Sequence, residues 1–216
     1  MKRQPLFLNM FSAMLDVLGP SHWWPADTPF EMAVSAILAQ STNWGHAMQA
    51  IANCKAAGVF SPRALLALPD AALAELLRPA GSFRLKAVRL KNLLAFIVQE
   101  LDGDIASLGG QDLETVRQRL LSVKGIGPET ADSILLYGLG YPSFVVDAHT
   151  ARICSRHALA PEDADYESLR ELFMDALPGE VPLYNEFHAL LVRVGKEWCR
   201  PRIPLCESCP LGRFFP

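Results

Sequence analysis

Val123-Lys-Gly-Ile-Gly-Pro-Glu-Thr-Ala131 is the stretch on which the reading of this chain turns. Upstream, Leu113, Val116, Leu120 and Leu121 recur at helical spacing, and downstream Ala131, Ile134, Leu135 and Gly138 do the same. Two helices therefore flank Gly125-Ile-Gly127. Glycines at alternate positions permit the positive backbone angles of a tight turn, and Ile126 between them is placed to anchor it inward. Pro128 suits the first turn of the second helix. Bare glycine amides at a helix start can approach a phosphate, and the helix dipole favours its negative charge. On its own the string also fits an ordinary corner between two helices, so its neighbourhood has to decide.

Further along comes Phe144-Val-Val-Asp-Ala-His149, a lone carboxylate in an apolar setting. Asp147 before Ala148-His-Thr-Ala-Arg152 is a good helix N-cap. A hairpin able to hold a backbone phosphate, followed by an isolated acid, suggests a protein that grips nucleic acid and does chemistry beside it. Elsewhere the apolar spacing predicts helices over 31–39, 71–77, 86–101, 113–121, 129–137 and 184–194, with no persuasive strand alternation. The expected fold class is all-α.

Half of the 216 residues are hydrophobic, enough to bury one or two cores. The sequence has no long apolar run for a membrane span and no clear signal peptide, so no membrane partner is expected. Five cysteines, three of them grouped near the carboxyl end, fit a reducing cytoplasm better than a disulfide framework. Cys54 and Cys154 read as core residues. A formal charge of −3 is awkward for a nucleic-acid binder, but the charges are unevenly placed. Arg78, Arg84, Lys86, Arg89 and Lys91 form one basic group and Arg193, Lys196, Arg200 and Arg202 a second, while acids gather between Glu162 and Asp175.

Four segments in order resemble the helix-hairpin-helix DNA glycosylases of the endonuclease III superfamily. Leu38-Ala-Gln-Ser-Thr42 is similar to the family's early helix and loop, Gly81-Ser-Phe-Arg-Leu-Lys-Ala87 to its segment before a basic helix, Val123–Ala131 to its hairpin, and Val146-Asp-Ala-His149 to the segment carrying its catalytic aspartate. The resemblance implies an all-α protein with a central bundle over about 30–138, and a second lobe formed by 1–29 and 139–216. It implies a monomer acting on double-stranded DNA that contains a damaged base, cytoplasmic and associated with the nucleoid when bound. Asp147 is then the catalytic residue. Gln40, Lys124, Gly125, Gly127, Arg200 and Arg202 become DNA contacts, with Gln40 matching the glutamine that enters the base-pair gap.

Lyase members of that family carry a lysine just after the hairpin, whose amine forms a Schiff base with the sugar. Glu129 stands in that place here, so the resemblance implies a monofunctional glycosylase. His22-Trp-Trp-Pro25 followed by Phe30-Glu31, together with the string from Gly125 to Asp132, resembles the bacterial 3-methyladenine glycosylases. Trp23 and Trp24 become candidate stacking faces of a base pocket that also includes Glu129, and an alkylated purine such as 3-methyladenine the expected substrate. Trp44 is a further stacking candidate; Glu31, Asp132 and His149 receive no chemistry. The alternative is an endonuclease III-like enzyme for oxidised pyrimidines or mismatched bases, and a remoter one is a non-catalytic helix-hairpin-helix DNA-binding protein.

Cys199, Cys206 and Cys209 reproduce the first three positions of the family's 4Fe-4S loop, and the fourth position is Phe215. Three readings follow: a cluster with an outside ligand or an open iron, no cluster, or zinc completed by a residue such as His188. The spacing and the intervening Arg200, Pro201, Arg202 and Pro204 favour a structural cluster.

Overall fold

The structure, a computed structural model, describes residues 3–23 and 26–215. Eleven α-helices are present among them and no strand: α1 (Gln4–Leu18), α2 (Pro29–Leu38), α3 (Trp44–Ala56), α4 (Pro62–Ala67), α5 (Asp70–Leu76), α6 (Phe83–Glu100), α7 (Leu113–Leu121), α8 (Pro128–Ser133), α9 (Ala148–Arg156), α10 (Tyr166–Ala176) and α11 (Val181–Glu197). The all-α class expected from the sequence holds. No helix among the described residues is long and apolar enough to cross a membrane. Two compact units divide the chain: one ends at Trp23 and resumes at Tyr141, and the other occupies the residues between, up to Gly140.

In the intervening unit, α2 is the central element. Thr28 caps it by accepting the Glu31 N–H, Pro29 starts it, and every residue from Glu31 to Leu38 is buried. A helix buried on all faces has neighbours all round, and α2 packs against α3, α6, α8 and the single π-helical turn Ile134–Gly138 that continues α8. The one acid in it, Glu31, is held by Lys55 Nζ at 2.8 Å from each oxygen. Asp112 caps α7 by accepting the Thr115 N–H, and α7 turns Val116, Arg117 and Leu120 inward. Arg117 meets Asp132 of α8 in a buried two-pronged ion pair at 3.0 and 3.1 Å, which ties together the helices on either side of the hairpin.

The first basic group largely serves this unit's own framework. Lys86 is buried, and its Nζ donates to Leu38 O (2.8 Å) and Ala80 O (2.7 Å), satisfying a carbonyl left open at the end of α2. Lys91 donates to Leu66 O and Leu68 O, Arg78 pairs with Glu75, and Arg89 donates to Gln40 Oε1. Within this group, helix-end carbonyls draw the two lysines inward.

The other unit is built on aromatic rings. Phe7 from α1, Phe144, Phe173 from α10, and Tyr184 and Phe187 from α11 are all almost completely buried. Phe144 stacks on Phe173 with centroids 4.0 Å apart and meets Tyr184 and Phe187 edge-on. That ring sits three residues before Asp147 and anchors the segment presenting it. Cys54 and Cys154 are buried, burial pushing their thiols up to about 11 and about 12.

Candidate active site and nucleic-acid interface

The hairpin and the acid belong to different units, and each is described by itself. Between α7 and α8, the Ile126 N–H closes the turn onto Val123 O at 3.0 Å, and Ile126 is buried. Gly125 has φ +103°, where a side chain would be strained. Gly127 departs from expectation. Its φ is −96° with ψ 178°, extended backbone open to any residue, and an added Cβ would meet nothing within 4 Å. Neither conformation nor internal packing requires glycine there. The exposed face of its backbone at the start of α8 is left clear for something to approach.

Gln40 is drawn into the same hairpin. Its Nε2 donates to Gly125 O (3.2 Å) and Thr130 Oγ1 (3.0 Å), while Oε1 accepts from Arg89, so the amide braces the loop from behind. Lys124 is exposed, and its carbonyl accepts from Asn92 Nδ2 at 2.8 Å. Glu129 is exposed in the first turn of α8, and its carbonyl accepts from Ser133 Oγ. The hairpin therefore carries Lys124, Gly125, Gly127 and, at the start of α8, Glu129, while Gln40 reaches it from the segment after α2.

Asp147 caps α9: its backbone is extended and its Oδ1 accepts the Thr150 N–H at 2.7 Å. The side chain is 15% exposed and lies 4.0 Å from His188 Nε2 on α11. Burial would push this carboxyl up, but His188 and the Thr150 N–H outweigh it and hold the group below the usual carboxylate range. It is ionised at neutral pH. Burial pushes His188 down, against the pull of Asp147. His188 thus stands beside the acid, not among the cysteines as the zinc reading supposed. The sequence could have flagged it only through knowledge that α9 and α11 pack together.

That packing passes through Gly195. A Cβ on Gly195 would fall 2.3 Å from His149 Nδ1 and 2.5 Å from His149 Cβ. Arg152 Nη2 instead donates to His149 Nδ1 at 2.9 Å and also to Gly195 O at 3.0 Å. Trp23 is half-buried, and its backbone N–H donates to Ser21 Oγ; Ser21 in turn donates to both oxygens of Glu186 on α11, through its backbone N–H and its hydroxyl. Trp24 lies outside the described residues. Trp44 opens α3 and is half-buried.

Beyond α11 the chain folds into a loop braced by two arginines of α9. Arg152 Nε donates to Cys199 O (2.7 Å), and Arg156 donates to Arg200 O (2.8 Å) and Pro201 O (2.9 Å) and lies 3.3 Å from Cys199 Sγ. Arg200 and Arg202 are exposed along it. Cys199, Cys206 and Cys209 line one small cavity with Arg156, His157, Trp198, Gly212 and Phe215. The loop closes so tightly that a Cβ on Gly212 would sit 2.3 Å from Cys206 O. Burial pushes the Cys209 thiol up, and Cys199 and Cys206 add to this against the N–H groups of Leu211 and Gly212. Three cysteines around one cavity suit a group that takes thiolate ligands. Among the described residues, no three of the His, Cys, Asp and Glu side chains converge tightly enough to hold a single ion.

Comparison with known proteins agrees with this layout. The chain is 42% identical, over 97% of its length and 95% of the relative's, to a Methanocaldococcus jannaschii protein that carries the provisional name of a DNA repair glycosylase. The structure of a trapped endonuclease III–DNA covalent intermediate matches with a TM-score of 0.84 over 98% of this chain and 95% of that one, at 21% identity, a likeness of fold. The H. pylori 3-methyladenine DNA glycosylase bound to 1,N6-ethenoadenine matches with a TM-score of 0.75, over 89% and 96% of the chains at 26% identity. The model of the HhH-GPD superfamily of base excision DNA repair proteins matches residues 34–179, which take in the hairpin and Asp147 alike, and this chain belongs to that superfamily.

Proposed function

We propose that this glycosylase-family protein hydrolyses the N-glycosidic bond of an alkylated purine such as 3-methyladenine in double-stranded DNA, and leaves the abasic strand uncut. The observation that carries the reading is Asp147: a nearly buried carboxylate kept ionised, fixed at a helix start by the Thr150 N–H. As a base departs, the sugar gains oxocarbenium character, and a carboxylate in a water-poor site stabilises that charge more strongly than one in bulk water. The same oxygens can orient or deprotonate the attacking water. An alkylated purine is already cationic with a weakened bond, so a carboxylate and a stacking face such as Trp23 or Trp24 form a sufficient toolkit.

At the hairpin, the open backbone of Gly127 and the ammonium of Lys124 hold a phosphate, with Gln40 bracing the loop. Glu129 offers a carboxylate where strand cleavage would need an amine, so no imine with the sugar forms there. Cys199, Cys206 and Cys209 hold an iron–sulfur cluster, which when bound supplies a rigid cross-link for the loop presenting Arg200 and Arg202 to the DNA backbone.

The test is release of base from duplex DNA containing 3-methyladenine, with strands examined before and after alkali. Free base, with breaks appearing only after alkali, is the expected result. A borohydride-trapped protein–DNA adduct overturns the monofunctional reading, and release of oxidised pyrimidines or mismatched bases alone overturns the substrate. Asp147→Asn keeps the helix cap but removes the charge, and lowers base release at least about a hundredfold; full activity in that variant overturns the role of Asp147.

A further inference from the structure

At the fourth position of the cysteine loop this chain has Phe215, and the structure brings a different donor, His157, to the same cavity. Phe215, in the position of the missing cysteine, lines the three-cysteine cavity together with His157. The two rings pack edge to face with centroids 5.9 Å apart. His157 follows the last residue of α9 and closes that helix, its N–H donating to Ile153 O. It is thus held in place by backbone before any side-chain contact is considered.

The ring has a defined orientation as well. His157 Nδ1 lies 3.2 Å from Phe214 O. A carbonyl only accepts, so Nδ1 carries the hydrogen and Nε2 keeps the lone pair. An imidazole that donates one N–H to a backbone carbonyl while offering its other nitrogen is the arrangement by which proteins prepare histidine for metal ligation. The cavity wall carries a second sign of that use: the Arg156 guanidinium lies 3.3 Å from Cys199 Sγ, a charged donor against a thiolate ligand.

The spread of the donors distinguishes the kind of centre. A single tetrahedral zinc requires its ligands to converge on one point. Among the described residues no three do so, yet three sulfurs and one imidazole surround one cavity. A cubane cluster asks for that spread, because each protein ligand binds a different iron.

We propose that His157, through Nε2, is the fourth protein ligand of a 4Fe-4S cluster whose other ligands are Cys199, Cys206 and Cys209. This rests on the cluster reading given above and adds to it a ligand the loop's own sequence does not contain. Three thiolates and a neutral imidazole carry one negative charge fewer than four thiolates, which raises the reduction potential of the bound centre.

The experiment uses the full chain purified anaerobically and reconstituted with ferrous iron and sulfide, as wild type, His157→Cys and His157→Ala. Iron and sulfide are counted, and the reduced cluster is probed by pulsed electron paramagnetic resonance for hyperfine coupling to a ligand nitrogen. The wild type is expected to hold about four irons per chain and to show that coupling. His157→Cys keeps the iron, loses the coupling and shifts the potential downward, whereas His157→Ala loses iron. A full cluster without nitrogen coupling, or coupling that survives in His157→Cys, overturns the ligand assignment and leaves the cluster standing. Zinc alone, or no iron and sulfide in the wild type, overturns the cluster reading and this inference with it. Should His157→Ala fail to fold, His157→Cys alone decides.

Discussion

The buried pair of Arg117 and Asp132 offers the sharpest quantitative test of how the hairpin is held. Its side chains are 5% and 0% exposed, and two parallel hydrogen bonds join them. Replacing either residue breaks this two-pronged pair in the interior, and breaking a buried ion pair from one side costs about 3–5 kcal/mol. Against a domain stability of about 5–15 kcal/mol that is a large fraction. With about 2–4 °C of melting temperature per kcal/mol in a chain of this size, Asp132→Leu or Arg117→Met lowers the midpoint by about 6–20 °C. The double replacement removes the charges together, so it recovers much of the loss. Urea unfolding of the four proteins gives the coupling energy, expected to be at least about 2 kcal/mol. Two single variants that each lose under about 1 kcal/mol, and that simply add in the double, would refute the argument.

Other expectations concern the hairpin and the acid. Gly127→Ala leaves the urea midpoint nearly unchanged, since its backbone is extended and its surroundings open, but weakens duplex binding; unchanged binding removes the backbone-phosphate role. Gly125→Ala destabilises instead, because φ is positive and the new Cβ meets Arg89 Cγ at 2.6 Å. Lys124→Ala weakens binding regardless of sequence and lowers the slope of log K against log salt by about one, read from titrations at several salt concentrations. For pH, His188 has a folded value below its unfolded one. The unfolded chain therefore binds more protons between the two, and the His188 contribution is full above about pH 6.5 and lost as pH falls through the folded value. Urea midpoints against pH should show this loss, and His188→Gln should flatten it.

The hairpin and Asp147 were legible because their information is local: a turn needs glycine within a few residues, and a cap needs its acid next to the helix it starts. Gly127 shows the limit of that reading, since the residue was expected for a reason, positive φ, that only Gly125 fulfils. Lys86 and Lys91 read only as members of a basic group because the carbonyls that draw them inward lie on other elements, at Leu38 and Leu66. In α10 the acids obscure a helical row of Leu169, Leu172, Phe173 and Ala176, all buried. His157 carries no signal in its own neighbourhood; its partner Phe214 is 57 residues away along the chain.

Gly195 has a consequence for how variation at this locus should be interpreted. His188 and Gly195 are seven residues apart on α11, two turns along one face, and that face meets α9 at His149, two residues from Asp147. Any side chain at 195 acts as a wedge that displaces the first turn of α9 and carries the carboxylate with it. A survey of mutations that disturb Asp147 would therefore score position 195 alongside it, although a glycine has no side chain with which to reach the carboxylate.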